Sequence, residues 1–350
     1  MYRAICILLG VVIGAALVIL GVVIYLNTPP PAPVSAEAAG PLRFEPEGAA
    51  IFEVRNGESS LSVGGRLFQE GIIRSRLFWD LISRFDRDYI KSGTYRLPLP
   101  MTQLEIRSLL VSGRQILSRV TVPEGVTLKK TAAILEDAGI CPAEEFLAAA
   151  ADPEILNTYR VPAATMEGYL YPDTYLFSPG YPPALVVRTM ADTFFKRLAE
   201  IQGDALELSP QELHQRVILA SIVEREYRLD DEAPYMAGVF YNRLDRGMAL
   251  QSCATVEYVI TEIQGRPHPE ILYIQDTEIP NPYNTYTHRG LPPGPISAPG
   301  AVALRAVFNP VSSDYLYFRL VDPSQGRHYF SKTLDDHIKA GVLYVKGRVS

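Results

Sequence analysis

The stretch Val217-Ile-Leu-Ala-Ser-Ile-Val223, followed at once by Glu224, decides how this sequence is interpreted. Seven uncharged residues in a row leave no charged helical face, so the stretch predicts a helix buried in a core. Glu224 would then occupy the last turn, in a partly water-excluded position. Burial raises a carboxyl pKa because it disfavours the charged form, and a carboxyl that stays protonated near neutral pH can donate a proton. Glu224 is therefore the first candidate for a general acid.

A simpler interpretation of Glu224 is that the helix merely meets water there. Arg225 and Glu226, which follow directly, favour this simpler interpretation. The choice between the two depends on the polar segments found elsewhere in the chain.

Composition excludes several classes of protein. The chain has 350 residues, 47% of them hydrophobic, and a net charge of -6 without a Lys/Arg block. It can therefore form two or three globular domains, and no nucleic-acid partner is expected. The histidines lack metal-binding spacing, and no phosphate loop, dinucleotide fingerprint or nucleophile elbow is present, so no metal or cofactor is expected. Cys6, Cys141 and Cys253 are too few for a disulfide framework, and whether Cys141 and Cys253 pair stays open.

The amino-terminal residues predict a membrane anchor. Ala4 to Leu26 is apolar, uncharged and long enough to cross a bilayer as a helix. We expect residues 1–26 to be a single-pass anchor with a short cytoplasmic start, because Arg3 precedes the apolar run. Residues 27–49, rich in Pro and Ala, predict an extended linker of up to about 60 Å. The globular part would then lie outside the cytoplasmic (inner) membrane.

The remaining chain predicts an α+β fold in two parts. Residues 50–115 alternate as strand, two short helices and a returning strand, which is a βααβ module. Residues 116–350 form the larger domain, with a helical insert near 127–160. Thr102 and Ser209 each begin a capping-box pattern, and the second one opens the Glu224 helix.

Polar and aromatic residues cluster in loops that a core does not require. Such loops more often bind than pack, and tyrosine rings with amide and hydroxyl groups suit a sugar polymer. The candidate substrate-binding residues are Gln251, Ser252, Tyr283, Asn284, Thr285, Tyr286, Glu167 and Tyr171.

Five motifs carry a resemblance to a known family. They are Leu219-Ala-Ser-Ile-Val-Glu224, Tyr241-Asn-Arg-Leu with Gly247-Met and Leu250-Gln-Ser252, Pro282-Tyr-Asn-Thr-Tyr286, Gly290-Leu-Pro-Pro-Gly-Pro-Ile296, and Glu167-Gly-Tyr-Leu-Tyr-Pro-Asp-Thr-Tyr175. The Pro123-Glu-Gly125 segment matches as well. Together they resemble the YceG-like family, the endolytic murein transglycosylases, over nearly the whole chain beyond the linker.

This resemblance implies a layout and an activity. The layout is an N-terminal anchor, a LysM-like module and a C-terminal catalytic domain. The activity is cleavage of the β-1,4 bond between N-acetylmuramic acid and N-acetylglucosamine in nascent peptidoglycan strands, leaving 1,6-anhydromuramyl ends. The family's single catalytic Glu falls on Glu224. The chain departs from the family pattern at Cys253 and Ala298, which puts any site role of those two positions in doubt.

Two alternatives stay open. One is a hydrolytic muramidase in which Asp173 or Glu167 supplies a second carboxylate. The other is a membrane-tethered scaffold that binds peptidoglycan strands through the LysM-like module and gathers other wall-synthesis enzymes.

Overall fold

A computed structural model of the chain describes residues 2–30, 43–44, 48–85 and 88–347. Two compact units divide it. The N-terminal unit contains residues 1–118 and 178–180, and the C-terminal unit contains residues 119–177 and 181–350. Each unit encloses a hydrophobic core of its own.

Helices outnumber strands, and the strands form three separate small sheets, as expected for an α+β fold. The helices are α1 (Tyr2–Asn27), α2 (Ser60–Gln69), α3 (Arg76–Phe85), α4 (Gln103–Ser112), α5 (Leu128–Asp137), α6 (Ala143–Ala150), α7 (Pro153–Thr158), α8 (Pro183–Ile201), α9 (Pro210–Glu224), α10 (Ala233–Asp245), α11 (Cys253–Tyr258), α12 (Ala301–Phe308) and α13 (Leu334–Gly347). The strands are β1 (Arg43–Phe44), β2 (Ala49–Val54), β3 (Gly93–Pro98), β4 (Ser118–Thr121), β5 (Thr174–Phe177), β6 (Tyr317–Asp322) and β7 (Arg327–Ser331).

Helix α1 has the length and composition of a membrane span. Its Leu9–Asn27 stretch has a mean hydropathy of 2.8 and no residue buried in the protein. Among the described residues no second helix meets the same criteria. The predicted apolar helix is therefore present.

The last turn of α1 is bonded to the N-terminal unit. Arg74 donates from Nη2 to the Pro29 carbonyl at 2.7 Å, and its guanidinium lies 4.7 Å from the centroid of the Tyr25 ring. Gln103 Nε2 donates to the Leu26 carbonyl at 2.7 Å. These bonds give ordered contacts to Leu26 and Pro29, at the junction of the predicted anchor and linker.

The other end of the predicted linker also carries secondary structure. Arg43 and Phe44 form β1 and pair antiparallel with Ile51 and Ala50 of β2. Residues 31–42 and 45–47, the rest of the predicted linker, lie outside the described residues. Ordered contacts are thus present at both described ends of the predicted linker, and its extended character stays a prediction.

The predicted βααβ order is present in the N-terminal unit as β2, α2, α3 and β3. The sheet order is β1-β2-β3, and β2 pairs antiparallel with β3. Trp79 fills the core with none of its surface exposed, and its Nε1 donates to the Ser60 carbonyl at 2.7 Å. A Cβ on Gly64 would lie 2.0 Å from the Trp79 ring, so only glycine allows this packing.

Helix α9 lies at the centre of the C-terminal unit, as its sequence predicts. Every residue from Val217 to Val223 is at most 3% exposed. The helix begins at a capping box in which Ser209 accepts from the Glu212 N–H and Glu212 bonds back to the Ser209 N–H. It packs against α10 and α12, so a helical layer surrounds the run that precedes Glu224.

Two small sheets flank this helical core. β4 pairs with β5, and the Thr121 and Thr174 hydroxyl oxygens are 2.9 Å apart. The β6–β7 hairpin pairs antiparallel and packs against α13, in agreement with the predicted terminal hairpin and helix. Strand β5 and helix α12 are absent from the sequence prediction.

Candidate functional site

Glu224 is the last residue of α9, where the helix gives way to a tight turn. The Arg225 N–H donates to the Ile222 carbonyl at 3.0 Å, which marks the end of the helix. The Glu224 side chain is half-buried. Its Oε2 accepts from the Gly300 N–H at 2.8 Å, and its Oε1 accepts from the Tyr227 hydroxyl at 3.3 Å.

The carboxyl of Glu224 holds a proton more tightly than an ordinary glutamate. Burial raises its pKa from 4.5 to about 7. The hydrogen bond from the Gly300 N–H acts in the opposite direction, because it favours the charged form. The negative charge of Glu124 raises the pKa further. A substantial fraction of Glu224 is therefore protonated at neutral pH, as a general acid requires.

Two backbone segments enclose the carboxyl. The Gly125 N–H donates to the Ala298 carbonyl at 2.9 Å, and the Ala298 N–H donates to the Val126 carbonyl at 2.8 Å. This pair of bonds joins the Pro123-Glu-Gly125 turn to the segment that supplies Gly300. The role of Ala298 is therefore structural: its backbone holds the two walls together.

Ser221 fixes the same segment to α9. Its Oγ accepts from the Ile296 N–H at 3.0 Å, and its carbonyl accepts from the Ser297 hydroxyl at 3.0 Å. Ser221 is fully buried one turn before Glu224. The Pro-rich stretch is thus held in place relative to the acid by the only polar residue in the buried run.

A second carboxylate lies beside the Glu224 site. Glu124 packs so closely on Gly300 that a Cβ there would lie 1.9 Å from Glu124 Oε1. Glu124 is exposed, whereas Glu224 is half-buried. Gly300 is therefore required both to donate to one glutamate and to leave room for the other.

Glu226 is a second half-buried acid, although the sequence suggested a solvated helix end. Its carboxyl accepts from the Ser252 hydroxyl in a short hydrogen bond. Burial raises the pKa of Glu226 to about 7. Two acids with raised pKa values thus lie two residues apart, directly after the buried helix.

Two of the predicted substrate-binding residues face an open cavity. Gln251 and Tyr286 line a cavity of about 540 Å³ together with Glu226 and Cys253. Gln251 is exposed and has a φ of 53°, a conformation held by its N–H bond to the Thr285 carbonyl at 3.1 Å. Strained backbone of this kind recurs at binding sites.

Three other predicted substrate-binding residues are buried and bonded within the protein. Asn284 donates from Nδ2 to the Thr277 and Ile279 carbonyls, both at 2.9 Å. The Thr285 hydroxyl accepts from the Ser252 N–H at 3.0 Å. The side chains of Ser252, Asn284 and Thr285 therefore shape the loop that carries Gln251 and Tyr286.

Tyr283 and Tyr171 differ in their surroundings. Tyr283 is half-buried, and its ring centroid lies 5.0 Å from that of Tyr258. Tyr171 is only 7% exposed and borders a separate cavity of about 370 Å³ with Arg197 and Ala301.

Glu167 is buried at the start of α5. Both of its carboxyl oxygens lie 3.0 Å from the Leu128 N–H that donates to them. Burial raises the pKa of Glu167 to about 8. Glu167 therefore caps the N-terminus of α5, and this structural role accounts for a glutamate at this position.

Sequence reasoning missed four contributors to this site: Glu226, Glu124, Tyr227 and the Gly300 N–H. The sequence contained a signal for Glu124 and Gly300, since both belong to turn motifs, Pro123-Glu-Gly125 and Pro299-Gly300. Glu226 had none, because a Glu next to an Arg after a helix is typical of a solvated surface.

The described residues hold no cluster of three or more His, Cys, Asp or Glu side chains that could bind a metal ion. Cys141 and Cys253 are both free thiols, the first buried and the second exposed. No disulfide joins them in this structure.

The profile of the YceG-like family matches residues 52–341, which include every site residue described above. The chain belongs to the YceG-like family. A crystal structure of a yceG-like protein from Listeria monocytogenes is similar to it, with 28% identity, a TM-score of 0.56 and coverage of 84% of this chain and 99% of that chain.

Two curated relatives of this YceG-like chain carry the name endolytic murein transglycosylase. The Bacillus subtilis protein is 28% identical over 327 residues, covering 88% of each chain. The Streptococcus pneumoniae protein is 27% identical over an alignment of 329 residues, with coverage of 85% of this chain and 58% of that protein. The chain thus spans a little over half of the pneumococcal relative.

Proposed function

We propose that this protein is an endolytic peptidoglycan lytic transglycosylase with Glu224 as its single general acid and base. It would cleave the bond between N-acetylmuramic acid and N-acetylglucosamine in glycan strands and leave 1,6-anhydromuramyl ends. The observation that carries the proposal is the half-buried Glu224 carboxyl, whose pKa burial raises to about 7. The names of its YceG-like relatives support the same reaction.

One carboxyl is sufficient for this chemistry. Protonated Glu224 donates its proton to the glycosidic oxygen as the bond to C1 breaks. The resulting carboxylate then accepts the proton of the muramyl C6 hydroxyl as that oxygen bonds to C1. The Gly300 N–H, 2.8 Å from Oε2, stabilises the carboxylate between the two steps. Water is not a reactant, so no second carboxylate is needed to activate it.

The positions of Glu167 and Asp173 favour this route over hydrolysis. Glu167 is buried and bonded to the Leu128 N–H, so it has no access to a water molecule above a sugar. Asp173 lies beside Arg197, at 3.6 Å, and accepts from its own neighbour's N–H. An inverting hydrolase would need a free carboxylate opposite the acid, whereas the exposed Glu124 carboxyl lies on the same side as Glu224, against Gly300.

Gln251 and Tyr286 are the proposed substrate contacts, since they line an open cavity. Tyr283, with its half-buried ring, and Tyr171 are proposed to line the neighbouring walls. Ser252, Asn284, Thr285 and Glu167 are proposed as positioning residues, because their polar atoms bond within the protein.

The proposed location is the cytoplasmic membrane, with α1 as a single-pass anchor and both units on the outer side. The apolar Leu9–Asn27 stretch supports it. The N-terminal βααβ module is proposed as LysM-like and glycan-binding, and its order of elements supports that assignment. Other wall-synthesis enzymes remain proposed partners.

The decisive experiment compares full-length wild-type protein with Glu224→Gln on isolated glycan strands. Gln has nearly the same shape but cannot donate a proton, so cleavage should fall by a factor of about 100 or more. Circular dichroism and glycan co-sedimentation should be unchanged. Glu270→Gln, an exposed glutamate of the same unit, is the matched control and should retain full activity. Normal cleavage by Glu224→Gln would rule out the assignment of the acid.

Mass spectrometry of the products separates the two alternatives. Anhydromuramyl ends support the lytic reaction, and reducing ends indicate a hydrolase. Strands that bind without being cut by the wild-type protein indicate a scaffold.

A further inference from the structure

The cavity of about 540 Å³ in the C-terminal unit carries more positive charge than a neutral sugar requires. Arg225, Arg228, Arg243 and Arg319 all line it. Two histidines, His328 and His337, also line the cavity, and Glu226 is the single acidic side chain of this lining.

The charges of this cavity are only partly neutralised. Arg225 is paired with Glu257 at 2.7 Å, so its charge is balanced. Arg243 donates to the Leu316 and Leu250 carbonyls at 2.6 and 2.7 Å, which fix its position without cancelling its charge. Arg228 has no hydrogen-bond or ion-pair partner within the described part of the chain.

Glu226 does not balance the arginines at neutral pH. Its carboxyl is bonded to the Ser252 hydroxyl, and burial raises its pKa to about 7. A substantial fraction is uncharged, so the cavity carries an excess of positive charge.

Two features of the cavity wall that Arg319 and His337 form indicate room for a ligand with polar groups. The Nδ1 atom of His337 is buried without a hydrogen-bond partner, although its ring borders the cavity. Arg319 donates from Nη1 to the backbone carbonyl of His337 at 3.3 Å, so the guanidinium is held against the same residue. Unsatisfied buried polar atoms of this kind are costly and commonly mark the position of a ligand or water.

The cavity is next to the acid along the chain. Its lining includes Arg225 and Glu226, the two residues that directly follow Glu224, together with Gln251 and Tyr286. A glycan strand with its scissile bond at Glu224 would therefore bring the substituents of the neighbouring sugar close to these arginines.

We propose that this arginine-lined cavity binds the carboxylates of the peptide that a muramyl residue carries, so that the enzyme selects peptide-bearing strands over bare glycan. The inference rests on the proposed function and specifies its substrate. Planar guanidinium groups match carboxylate geometry, and within the described part of the chain three of the four arginines have no carboxylate at 4.0 Å or less. The aromatic Tyr286 and Tyr317 rings would contact the apolar parts of the peptide.

The first test uses full-length protein in detergent with two matched substrates: uncross-linked strands that retain their peptides, and the same strands after amidase removes them. The wild-type protein should cleave the peptide-bearing strands with a kcat/KM about tenfold higher or more, as expected for one charged contact. Equal kcat/KM values on both substrates would overturn the inference while leaving the proposed function intact.

Arg228→Gln tests the cavity directly, because the Arg228 side chain has no hydrogen-bond or ion-pair partner among the described residues whose loss could unfold the protein. KM for peptide-bearing strands should rise about tenfold at constant kcat, and the bare-glycan parameters should not change. Arg246→Gln, an exposed arginine outside the cavity, is the matched control. An equal rise in KM on both substrates would mean that Arg228 binds the glycan itself, and it would contradict the inference.

A binding test is independent of cleavage. Cys253 lies in the cavity wall, with its sulfur 3.2 Å from the Tyr286 hydroxyl, so its alkylation reports on occupancy. A soluble disaccharide-peptide should slow alkylation of Cys253, as measured by peptide mass spectrometry, whereas the bare disaccharide should not. Equal alkylation rates would overturn the inference even if the wild-type protein cleaved no strand at all.

Discussion

The proton of Glu224 sets the expected pH dependence of the reaction. Burial raises its pKa from 4.5 to about 7, so the acid is protonated below that pH and increasingly ionised above it. A reaction that needs the protonated form should therefore lose rate as pH rises through about 7. Initial rates of strand cleavage between pH 5 and 9 measure this midpoint. A rate that stays constant up to pH 9 would contradict the assignment.

Glu124 should act on the same midpoint through its charge. Removing that charge in Glu124→Gln stabilises the ionised form of Glu224, so the pKa of Glu224 should fall and the loss of rate should begin at lower pH. The control is Glu262→Gln, which acts on Glu167 instead. An unchanged midpoint in Glu124→Gln would mean that burial alone accounts for the raised pKa.

Glu167 should make the protein less stable at alkaline pH. Its pKa in the folded protein is about 8, above the ordinary 4.5, so the folded state binds more protons than the unfolded state between these values. The free energy of unfolding must then fall as pH rises through this range. Glu167→Gln keeps an oxygen acceptor for the Leu128 N–H and should make that fall shallower. Urea unfolding at pH 5 and pH 8 measures the change, with Glu270→Gln as the control.

At this scale the sequence was sufficient to predict the buried helix that ends at Glu224 and insufficient to predict the groups that contact the Glu224 carboxyl. Seven buried residues before Glu224 are visible in the sequence, and their burial follows from their chemistry. The Gly300 N–H and the Glu124 carboxyl reach the same site through contacts of distant segments, which local pattern does not encode. The side-chain types that bind sugars also form the internal hydrogen bonds of polar loops. For this reason the sequence predicted ligand contacts at Ser252, Asn284 and Thr285, whose polar atoms bond within the protein.

Among the elements, α9 and the Pro-rich segment depend on the Ser221 hydroxyl. Ser221→Ala would leave the buried Ile296 N–H without an acceptor, at a cost of about 1 to 3 kcal/mol. The melting temperature should therefore fall, and the rate of cleavage should fall with it because Gly300 is displaced. Ser313→Ala, in a half-exposed loop, serves as the comparison. An unaltered melting temperature would show that the hydrogen bond between Ser221 and Ile296 does not contribute to stability.

Gly168 allows the turn after Glu167 to contact the same segment. Its φ of 80° disfavours any side chain, and a Cβ would lie 2.4 Å from Pro295. Gly168→Ala should destabilise the protein by roughly 2 to 4 kcal/mol through strain and overpacking together. Denaturant titration measures the loss. Gly203→Ala, which has open space around it, should change stability by much less.

The elements that the sequence predicted have local signals, and those that it missed do not. Capping-box patterns at Thr102 and Ser209 predict the starts of α4 and α9, and both capping boxes are present in the structure. Helix α12 starts after Gly300 without a side-chain cap, directly beyond a Pro-rich run. Strand β5 follows a Pro-Asp turn and pairs with β4 more than fifty residues earlier, so its strand character depends on a distant partner.

For the whole molecule, the apolar N-terminal helix was predictable from composition, whereas the contacts of Arg74 and Gln103 with the end of that helix were not. Deleting residues 1–30 should release the protein from lipid vesicles and leave cleavage of soluble strands unchanged, because the core of each unit lies outside that segment. Vesicle co-sedimentation and strand cleavage check both halves of this prediction. A truncated protein that still sediments with vesicles would point to a second membrane contact.

Trp79, whose ring closes the core of the N-terminal unit, is the only tryptophan in the chain. Excitation at 295 nm therefore yields an emission signal from the βααβ module alone, while the tyrosines of the C-terminal unit stay largely silent. Unfolding followed by that emission and by far-ultraviolet dichroism gives two curves from one sample. Whether the curves coincide tells directly if the module and the domain that carries Glu224 lose structure as one cooperative body or in succession.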